Sequence, residues 1–442
     1  MASKKKDENL EMDLIDKLAD EMDRAQTVNP LLVALAENDK KNMFKTNVTT
    51  VFHKTGFHLF DFYFGSVINM HDELGNIVSQ EPRVGQAAGT FNLIIGGSGS
   101  GKTTLAVQIA GNIIRQYNYA NVIHYDCENR IDISRCENIT KLPAHYFGNG
   151  GGVERYLIKN GVVGLNTIQE MIVKTYVSKM KLKDQLMVPS GFKNEFGQDV
   201  MTFQPTIIII DSITTVIEES FNINSAKEAS DAEKMRSNTD GARDAKTIKG
   251  FFKDILPLCK EANIIIYGIN HINTNMSMNS FIPVAKQQNY MKQDEIIPGG
   301  KTMIYYPFNI IKLTARPSDD FTEEGDGFAG HMVMVEPVKS SSNQSGNNSK
   351  GISFEMVFSH THGFDALRTM IMYGRDRGII EGNKNRMKFK GDDSFTFNLK
   401  EIYKEKDEKP IWESINKFIV PTLKEHLSFI EPIKFDNRGL DY

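Results

Sequence analysis

The middle of the chain alternates between short apolar runs and amphipathic segments. Eight apolar runs predict strands, at Phe91–Ile95, Val122–Asp126, Arg155–Lys159, Thr206–Asp211, Ile264–Ile269, Phe308–Leu313, His331–Val338 and Ile352–Phe358. Segments with helical periodicity lie between the first five runs, and this alternation predicts an α/β fold whose mainly parallel sheet carries helices on both faces. The last three runs have no helical segment between them and predict an antiparallel extension, so the sheet is expected to be mixed. These elements define a predicted core over residues 57–362.

The start of the chain departs from this alternation. From Leu10 to Met22 an apolar residue recurs at every fourth position among charged residues, which predicts a helix. We therefore expect residues 1–56 to form a helical and extended appendage that precedes the core.

The pattern changes again after residue 363. Helical periodicity starts at Ala366 and recurs over Ile411–His426, with a segment rich in Gly, Lys and Arg between them. We predict a small C-terminal domain over residues 363–442. Two polar segments, 184–204 and 340–351, are expected to lie outside the packed elements.

A glycine-rich loop follows the first predicted core strand. It fits the phosphate-loop pattern G-x-x-x-x-G-K-[ST] at every fixed position, and its residues are Gly96, Gly97, Ser98, Gly99, Ser100, Gly101, Lys102 and Thr103, with Thr104 next. Strand, glycine loop and helix in this order are the context in which the pattern binds phosphate. Glycines let the backbone N–H groups turn toward an anion, and the helix N-terminus adds partial positive charge. An ordinary Gly/Ser loop is the alternative, and the lysine, threonine and flanking elements speak against it.

This loop predicts ATP and Mg²⁺ as ligands. Lys102 would neutralise the β- and γ-phosphates, and the Thr103 hydroxyl would ligate Mg²⁺. The apolar strand Thr206–Asp211 ends in an acid, at the strand end where ligands bind in open α/β sheets. Asp211 would hold Mg²⁺ through water.

A second carboxylate is expected to act on the attacking water. ATP hydrolysis needs a group that orients or deprotonates this water. Glu128 follows the strand Val122–Asp126 by two residues, and in a parallel sheet this strand end would face the γ-phosphate. We predict Glu128 as the catalytic carboxylate; a surface acid that caps the next helix is the alternative.

Another polar pair, Asn270-His271, ends the strand that starts at Ile264. It could bond the γ-phosphate and report its loss to the following loop; a purely structural pair is the alternative. Long polar stretches follow at 218–240 and 272–298, and such stretches are typically functional or disordered. Basic residues in or beside them are candidates for DNA phosphate contacts, or are simply solvated: Lys227, Lys234, Arg236, Arg243, Lys246, Lys249, Lys286, Lys292 and Lys301.

Composition adds little to this picture. The 442 residues include 40% hydrophobic residues, enough for a sizeable core. The formal net charge of -4 means that a nucleic-acid partner would need a local basic surface. Cys127, Cys136 and Cys259 form no C-x-x-C pair, which speaks against a disulfide framework and a zinc site. We expect no signal peptide and no membrane span, and therefore a cytoplasmic or nucleoid-associated protein.

The order of these parts resembles the core of RecA-type recombinases, and most of all the phage UvsX-type proteins. The resemblance covers roughly residues 44–380. It rests on the phosphate loop, Tyr125-Asp126-Cys127-Glu128, Asp211-Ser212, Ile269-Asn270-His271 and Gly299-Gly300. The segment Arg243–Lys249 also resembles the helix after the first DNA-binding loop of these proteins. The resemblance implies a RecA-like phosphate-loop ATPase core.

It also implies roles for residues around the nucleotide. Glu128 would activate water, and His271 would couple the γ-phosphate to the DNA-binding loop. Asp132 would lie near the adenine. Arg135 stands where an aromatic residue usually stacks on the base, and its guanidinium plane could do the same.

Further implied roles concern DNA and neighbouring copies. Gly299 and Gly300 would close the second DNA-binding loop. Lys339 is the one residue kept from a basic pair that, in the family, completes the nucleotide site of the neighbouring protomer. Phe44 is a candidate anchor of the filament-linking segment, with local packing as the alternative.

The resemblance implies a DNA-dependent ATPase that forms filaments on single-stranded DNA and promotes pairing and strand exchange with double-stranded DNA. Single-strand-binding and loader proteins are further expected partners, and the cytoplasm would be that of the host cell if the protein is phage-encoded. A RecA-fold hexameric helicase and a RecA-like ATP-binding regulator are the alternatives. Gly299-Gly300 and Asn270-His271 favour the recombinase over the helicase.

Overall fold

The computed structural model describes residues 50–72, 77–148, 152–161, 163–194, 197–217, 240–274, 291, 295–316, 329–341 and 353–427, without the side chains of 240–246, 274 and 405–407. The predicted N-terminal helix and Phe44 lie outside the described residues.

The strands of the described part are β1 Phe52–His53, β2 Ser66–His71, β3 Ile77–Arg83, β4 Gln86–Ala87, β5 Phe91–Gly96, β6 Asn121–Asp126, β7 Phe147–Gly148, β8 Tyr156–Asn160, β9 Met187–Lys193, β10 Asp199–Phe203, β11 Thr206–Asp211, β12 Ile264–His271, β13 Asn273–Thr274, β14 Glu295–Ile296, β15 Asn309–Arg316, β16 Gly330–Ser340, β17 Phe354–Ser359, β18 Gly363–Asp365, β19 Ile380–Asn383 and β20 Arg386–Phe389. The α-helices are α1 His58–Tyr63, α2 Lys102–Arg115, α3 Ile133–Thr140, α4 Leu165–Lys181, α5 Lys183–Leu186, α6 Asp240–Ala262, α7 Thr302–Tyr305, α8 Ala366–Asp376 and α9 Glu405–Phe418. Short 3-10 helices span Ala144–Tyr146 and Val420–His426.

Ten strands form one sheet, in the order β18-β17-β16-β15-β5-β12-β11-β6-β8-β7. From β15 to β7 every neighbouring pair is parallel, whereas the pairs from β15 to β18 are antiparallel. The predicted α/β class and the mixed, mainly parallel sheet are therefore confirmed. One detail of the prediction is wrong: β15 pairs in parallel with β5, so the antiparallel extension begins only at β16.

Helices cover both faces of this sheet, as predicted. Successive strand residues point to opposite faces, and β11 shows this directly. Ile207 and Ile209 pack in the hydrophobic cluster that contains α2, while Ile208 and Ile210 pack in the cluster that contains α4 and α6. The central strands are thus buried on both sides, which explains why they read as continuous apolar runs.

The polar segment 184–204 does not stay outside the packed elements. Most of it forms the antiparallel hairpin β9–β10. The guanidinium carbon of Arg83 lies 4.6 Å from the centre of the Phe192 ring, and Arg83 Nη2 donates a hydrogen bond to Lys193 O at 2.7 Å. These contacts from β3 give the hairpin a partner that its own polar sequence does not reveal.

The described C-terminal part packs directly on the core. Leu367 and Ile371 of α8 and Ile415 of α9 belong to the same hydrophobic cluster as Phe60 of α1 and Ile109 of α2. The helix predicted from Ala366 is α8, and the second predicted helix begins earlier than expected, at the start of α9. The boundary at residue 363 stays a prediction, although β18 directly after it is an edge strand of the main sheet. No helix in the described part of the chain is long and apolar enough to cross a bilayer.

A buried carboxylate in α1 links the stability of this packing to pH. Asp61 Oδ1 accepts hydrogen bonds from Thr55 N at 2.9 Å and from Thr55 Oγ1 at 2.6 Å. Burial raises the pKa of Asp61 from 3.8 to about 7, although these bonds and the charge of Lys54 lower it. The carboxyl group therefore stabilises the fold fully only below its unfolded pKa of 3.8, and this contribution is lost as the pH rises through about 7.

We expect Asp61→Asn to remove this loss of stability. Both hydrogen bonds end on Oδ1, which an amide oxygen replaces, so asparagine keeps them and has no charge to bury. The free energy of unfolding of the variant, relative to the wild type, should rise from pH 4 to pH 7 by on the order of 4 kcal/mol and then level off. Denaturant unfolding at several pH values measures this, with the exposed Asp254→Asn as control. Parallel pH curves for wild type and Asp61→Asn would contradict it.

Candidate functional site

The carboxyl ends of four neighbouring strands meet at one edge of the sheet. These are β5, β12, β11 and β6, in that order. The register sets Asp211 beside Asp126, and His271 beside Gly96. Since paired strands lie only about 4.8 Å apart, the sheet brings together motifs that lie far apart in the sequence.

A cavity of about 390 Å³ opens at this edge. Residues 98–104 line it together with Glu128, Asp132, Arg135, Asp211 and His271. Most residues that the motifs predict for ATP and Mg²⁺ therefore surround one space. A cavity of this size is in the usual range for small-molecule sites.

The glycine loop has an open backbone that leaves space for a phosphate. Gly99 and Gly101 have φ of 73° and 86°, in the left-handed region that favours glycine. A Cβ built at Gly97 or Gly99 would meet no atom within 4 Å, so both residues border open space. At Gly101 a Cβ would lie 3.0 Å from Phe364 Cζ, which explains the glycine directly before α2.

Lys102 is the first residue of α2 and folds back over the loop. Its Nζ donates hydrogen bonds to Gly96 O at 3.1 Å and to Gly97 O at 2.7 Å. Burial lowers the pKa of Lys102, and the charges of Asp211 and Glu128 oppose this effect. The loop thus holds a buried ammonium group at the floor of the cavity.

Thr103 and Asp211 present the oxygen atoms that a divalent cation would use. Thr103 Oγ1 donates a hydrogen bond to Asp211 Oδ2 at 2.6 Å. Burial raises the pKa of Asp211, and the hydrogen bond from Thr103 opposes this. Asp126 adds a buried Oδ1 that has no hydrogen-bond partner among the described residues. A hydroxyl and carboxylates fit Mg²⁺, which takes oxygen ligands and usually keeps waters and substrate phosphates.

Glu128 stands between two cationic or potentially cationic groups. Its Oε2 lies 3.1 Å from Arg130 Nη1, and its Oε1 lies 3.5 Å from His271 Nε2. The second contact is an ion pair only when the imidazole is protonated. The Glu128 side chain is 21% exposed, so its carboxylate remains accessible from the cavity.

Asn270 and His271 make different contacts, although they are adjacent in the sequence. Asn270 is fully buried, and its Oδ1 accepts hydrogen bonds from Thr214 Oγ1 and from His271 N. Its Nδ2 donates to Pro298 O at 3.1 Å. Asn270 therefore ties the strand end to the segments after β11 and before Gly299, while His271 alone lines the cavity.

Part of the cavity wall is apolar. Val107, Ile139 and Phe358 line it together with Arg135. Arg135 Nη1 donates a hydrogen bond to His360 O at 3.2 Å, which fixes the guanidinium group beside this apolar wall. Asp132 caps α3 by accepting a hydrogen bond from Ser134 N at 3.0 Å. An apolar wall with a flat cation beside it suits an aromatic base.

No protein-family model matches this chain, and no curated protein does either. The resemblance to RecA-type recombinases therefore stays a prediction that rests on the motifs and their arrangement.

Lys339 does not line the cavity of its own chain. Its Nζ donates hydrogen bonds to Ile304 O at 3.1 Å and to Tyr305 O at 2.7 Å, at the end of α7. Burial lowers the pKa of Lys339. These bonds hold the end of α7, and a role of Lys339 in a neighbouring copy's cavity stays a prediction.

The predicted DNA contacts are described only in part. Lys227, Lys234, Arg236, Lys286 and Lys292 lie outside the described residues, and Arg243 and Lys246 belong to α6 without a described side chain. Gly299 and Gly300 have φ of 91° and 70° and form a turn with Lys301, whose side chain is exposed. A Cβ at Gly299 would lie 2.7 Å from Met303 Cγ, so this turn requires glycine.

Lys312, which sequence reasoning missed, anchors the stem of the polar stretch 272–298. Lys312 Nζ lies 2.8 Å from Glu295 Oε2 and 3.8 Å from Glu336 Oε2, and its side chain is almost fully buried. The short pairing of β13 with β14 brings Glu295 to this point. No motif indicates Lys312, because its partners lie on other strands.

Sequence reasoning also missed cavity residues that follow strand ends. Arg130, Phe358 and His360 line the cavity, and only the position of Arg130 just after Glu128 gives a local signal. The other two come from the end of β17, which the sheet order brings near α2 and α3. This proximity depends on tertiary structure.

Proposed function

We propose that this protein is a DNA-dependent ATPase with a RecA-like core, which forms filaments on single-stranded DNA and promotes homologous pairing and strand exchange. One observation carries the proposal. The phosphate loop, Asp211, Glu128 and His271 surround one cavity at the carboxyl edge of a mainly parallel sheet. This arrangement supports hydrolysis of a nucleoside triphosphate.

The residues around the cavity support ATP as the proposed ligand. The open glycine loop and Lys102 would hold the phosphates, and Arg135 with its apolar neighbours would hold the base. Thr103 and Asp211 would hold Mg²⁺, which when bound would neutralise part of the phosphate charge.

Glu128 would act on the attacking water. The water oxygen forms a bond to the γ-phosphorus while the bond from that phosphorus to the bridging oxygen breaks. ADP leaves with the electron pair of the broken bond, and Glu128 accepts a proton from the water. Lys102 stabilises the negative charge that develops on the phosphate oxygens.

The bonds of Asn270 support coupling between this reaction and DNA. His271 lines the cavity, and the adjacent Asn270 donates a hydrogen bond to Pro298 O at the end of the polar stretch 272–298. A movement of His271 on loss of the γ-phosphate would therefore be transmitted through Asn270 and Pro298 to the turn that contains Gly299, Gly300 and Lys301. A loop of this kind would bind DNA in one nucleotide state and release it in another.

Other parts of the proposal concern partners and location. Single- and double-stranded DNA, further copies of the chain, and single-strand-binding and loader proteins are the proposed partners. Lys339 would contribute to the nucleotide site of the next protomer. The protein would act in the cytoplasm, in association with the nucleoid, or in the host cell if it is phage-encoded.

The proposal predicts that single-stranded DNA stimulates ATP hydrolysis severalfold and that the same samples contain helical filaments. Steady-state ATPase rates with and without single-stranded DNA, together with negative-stain images, measure both. DNA affinity should also fall steeply with salt concentration, because it depends on phosphate contacts. Stimulation with closed rings would instead indicate a hexameric helicase. Neither stimulation nor assembly would indicate a RecA-like ATP-binding regulator.

A further inference from the structure

Arg130 lines the cavity beside the proposed catalytic carboxylate. Its Nη1 lies 3.1 Å from Glu128 Oε2, yet 77% of its side chain is exposed. The arginine follows Asn129, whose φ of 53° places a left-handed residue in the turn between them. A long cationic side chain at an exposed turn can change its partner at little cost in packing.

The balance of charges around the cavity favours a change of partner by Arg130 when an anion binds. Four carboxylates and three Lys or Arg side chains line it: Asp126, Glu128, Asp132 and Asp211, against Lys102, Arg130 and Arg135. The lining is thus slightly negative before any phosphate enters. An anionic ligand would need every cation near its phosphates.

The three cations differ in how they are held. Lys102 is buried and bonded to two loop carbonyls, whereas Arg135 is exposed and bonded to His360 O. The ion pair of Arg130 with Glu128 joins a side chain that is 77% exposed to one that is 21% exposed, and pairs with a solvated member contribute little to stability. Of these three, Arg130 is the exposed cation that contacts Glu128, the residue proposed to act beside the terminal phosphate.

We infer that Arg130 binds the terminal phosphate of ATP and leaves Glu128 when it does so. This inference rests on the proposed ATPase function. Guanidinium binds phosphate through two parallel hydrogen bonds, and a phosphate group offers more negative charge than one carboxylate. Since Glu128 is proposed to face the water that attacks this phosphate, its partner Arg130 stands close to the same group.

The exchange would make the site sensitive to the terminal phosphate. With ADP or without nucleotide, Arg130 stays paired with Glu128 and stabilises its charge. With ATP, the pair opens, and Glu128 becomes free to accept a proton from water. Arg130 would thus distinguish ATP from ADP, and it would supply from the same chain a cation at the end of the phosphates.

Equilibrium binding of ADP and of a non-hydrolysable ATP analogue to the full chain tests the inference. Arg130→Ala should weaken the affinity for the analogue ~10- to 100-fold, as expected for lost hydrogen bonds to a charged group. It should change the affinity for ADP by less than about twofold, because ADP lacks the terminal phosphate. Arg130→Lys should recover part of the loss, since it restores the charge without the planar fork.

Arg135→Ala is the matched control, because this exposed arginine also lines the cavity but bonds His360 O and is proposed to contact the base. It should weaken both nucleotides by the same factor. Unchanged thermal unfolding of Arg130→Ala would show that the exposed side chain is not needed for folding. Equal weakening of both nucleotides by Arg130→Ala, or faster hydrolysis, would overturn the inference and reduce Arg130 to a clamp on Glu128. If the wild type binds neither nucleotide, the proposed ATPase function itself is wrong.

Discussion

Lys102→Ala is expected to lower kcat for ATP hydrolysis by about 10²- to 10³-fold, the usual cost of removing one preorganised donor to a developing negative charge. Lys102 is the buried ammonium group at the floor of the cavity, held by the carbonyl oxygens of Gly96 and Gly97. Its removal also takes one donor from each of these carbonyls, although Ser100 Oγ still donates to Gly97 O, so the loop loses part of its support. Steady-state hydrolysis with saturating ATP, and binding of a fluorescent ATP analogue, measure the two effects.

Two further variants separate charge from geometry in this experiment. Lys102→Arg keeps the positive charge, but its planar fork does not match the two carbonyl positions, so we expect it to recover little activity. The exposed Lys181→Ala, at the end of α4, should stay within about twofold of the wild type. Near-normal hydrolysis by Lys102→Ala would show that the glycine loop is not the phosphate site.

Glu128→Gln is expected to lower kcat by about 10²- to 10⁴-fold, the range for loss of a general base, and to leave ATP affinity nearly unchanged. Glutamine has the shape of glutamate, but its amide does not accept a proton from water. Its carbonyl oxygen can still accept a hydrogen bond from Arg130, so the local packing should survive. Single-turnover hydrolysis and equilibrium binding on the same preparation separate chemistry from binding.

Glu128→Gln has a matched control, and one result would contradict the proposed role of Glu128. Glu137→Gln changes a partly buried carboxylate of α3 that does not line the cavity, and it should keep activity within about twofold. If Glu128→Gln hydrolyses ATP at nearly the normal rate, another group orients the water. Asp126 would then be the first candidate, because its buried Oδ1 has no hydrogen-bond partner in the described part of the chain.

Local pattern predicted the central strands well. Thr206–Asp211 forms β11 with the predicted bounds, and the helix predicted from Ala366 begins there. A strand buried on both faces needs a continuous apolar run, so its position is written in adjacent residues. The hairpin over 184–204 was missed for the opposite reason. Its strands are polar and interrupted by Pro189 and Gly191, and their partner, Arg83, is distant in the sequence.

The candidate site also has features that local sequence predicts and features that depend on neighbouring elements. Lys102 and Asp211 were predicted because a phosphate site needs a glycine loop with its lysine and an acid at the end of a strand, and each of these signals is local. The different contacts of Asn270 and His271 could not be predicted from the sequence, because Asn270 bonds Thr214 and Pro298, which lie on other segments. Adjacent residues at a strand end face different directions, and only the neighbouring elements decide what each one meets.

The sequence by itself determined the α/β class and the central strands and indicated the residues proposed to bind phosphate, because these follow from short-range periodicity and from one local backbone motif. Only the tertiary structure decided that β12 lies between β5 and β11, which brings His271 to the glycine loop and to Glu128. It also decided that Phe358, from the end of β17, lines the same cavity. Strand order and chain crossings join residues that are distant in the sequence, and hydrophobic patterning does not specify this order.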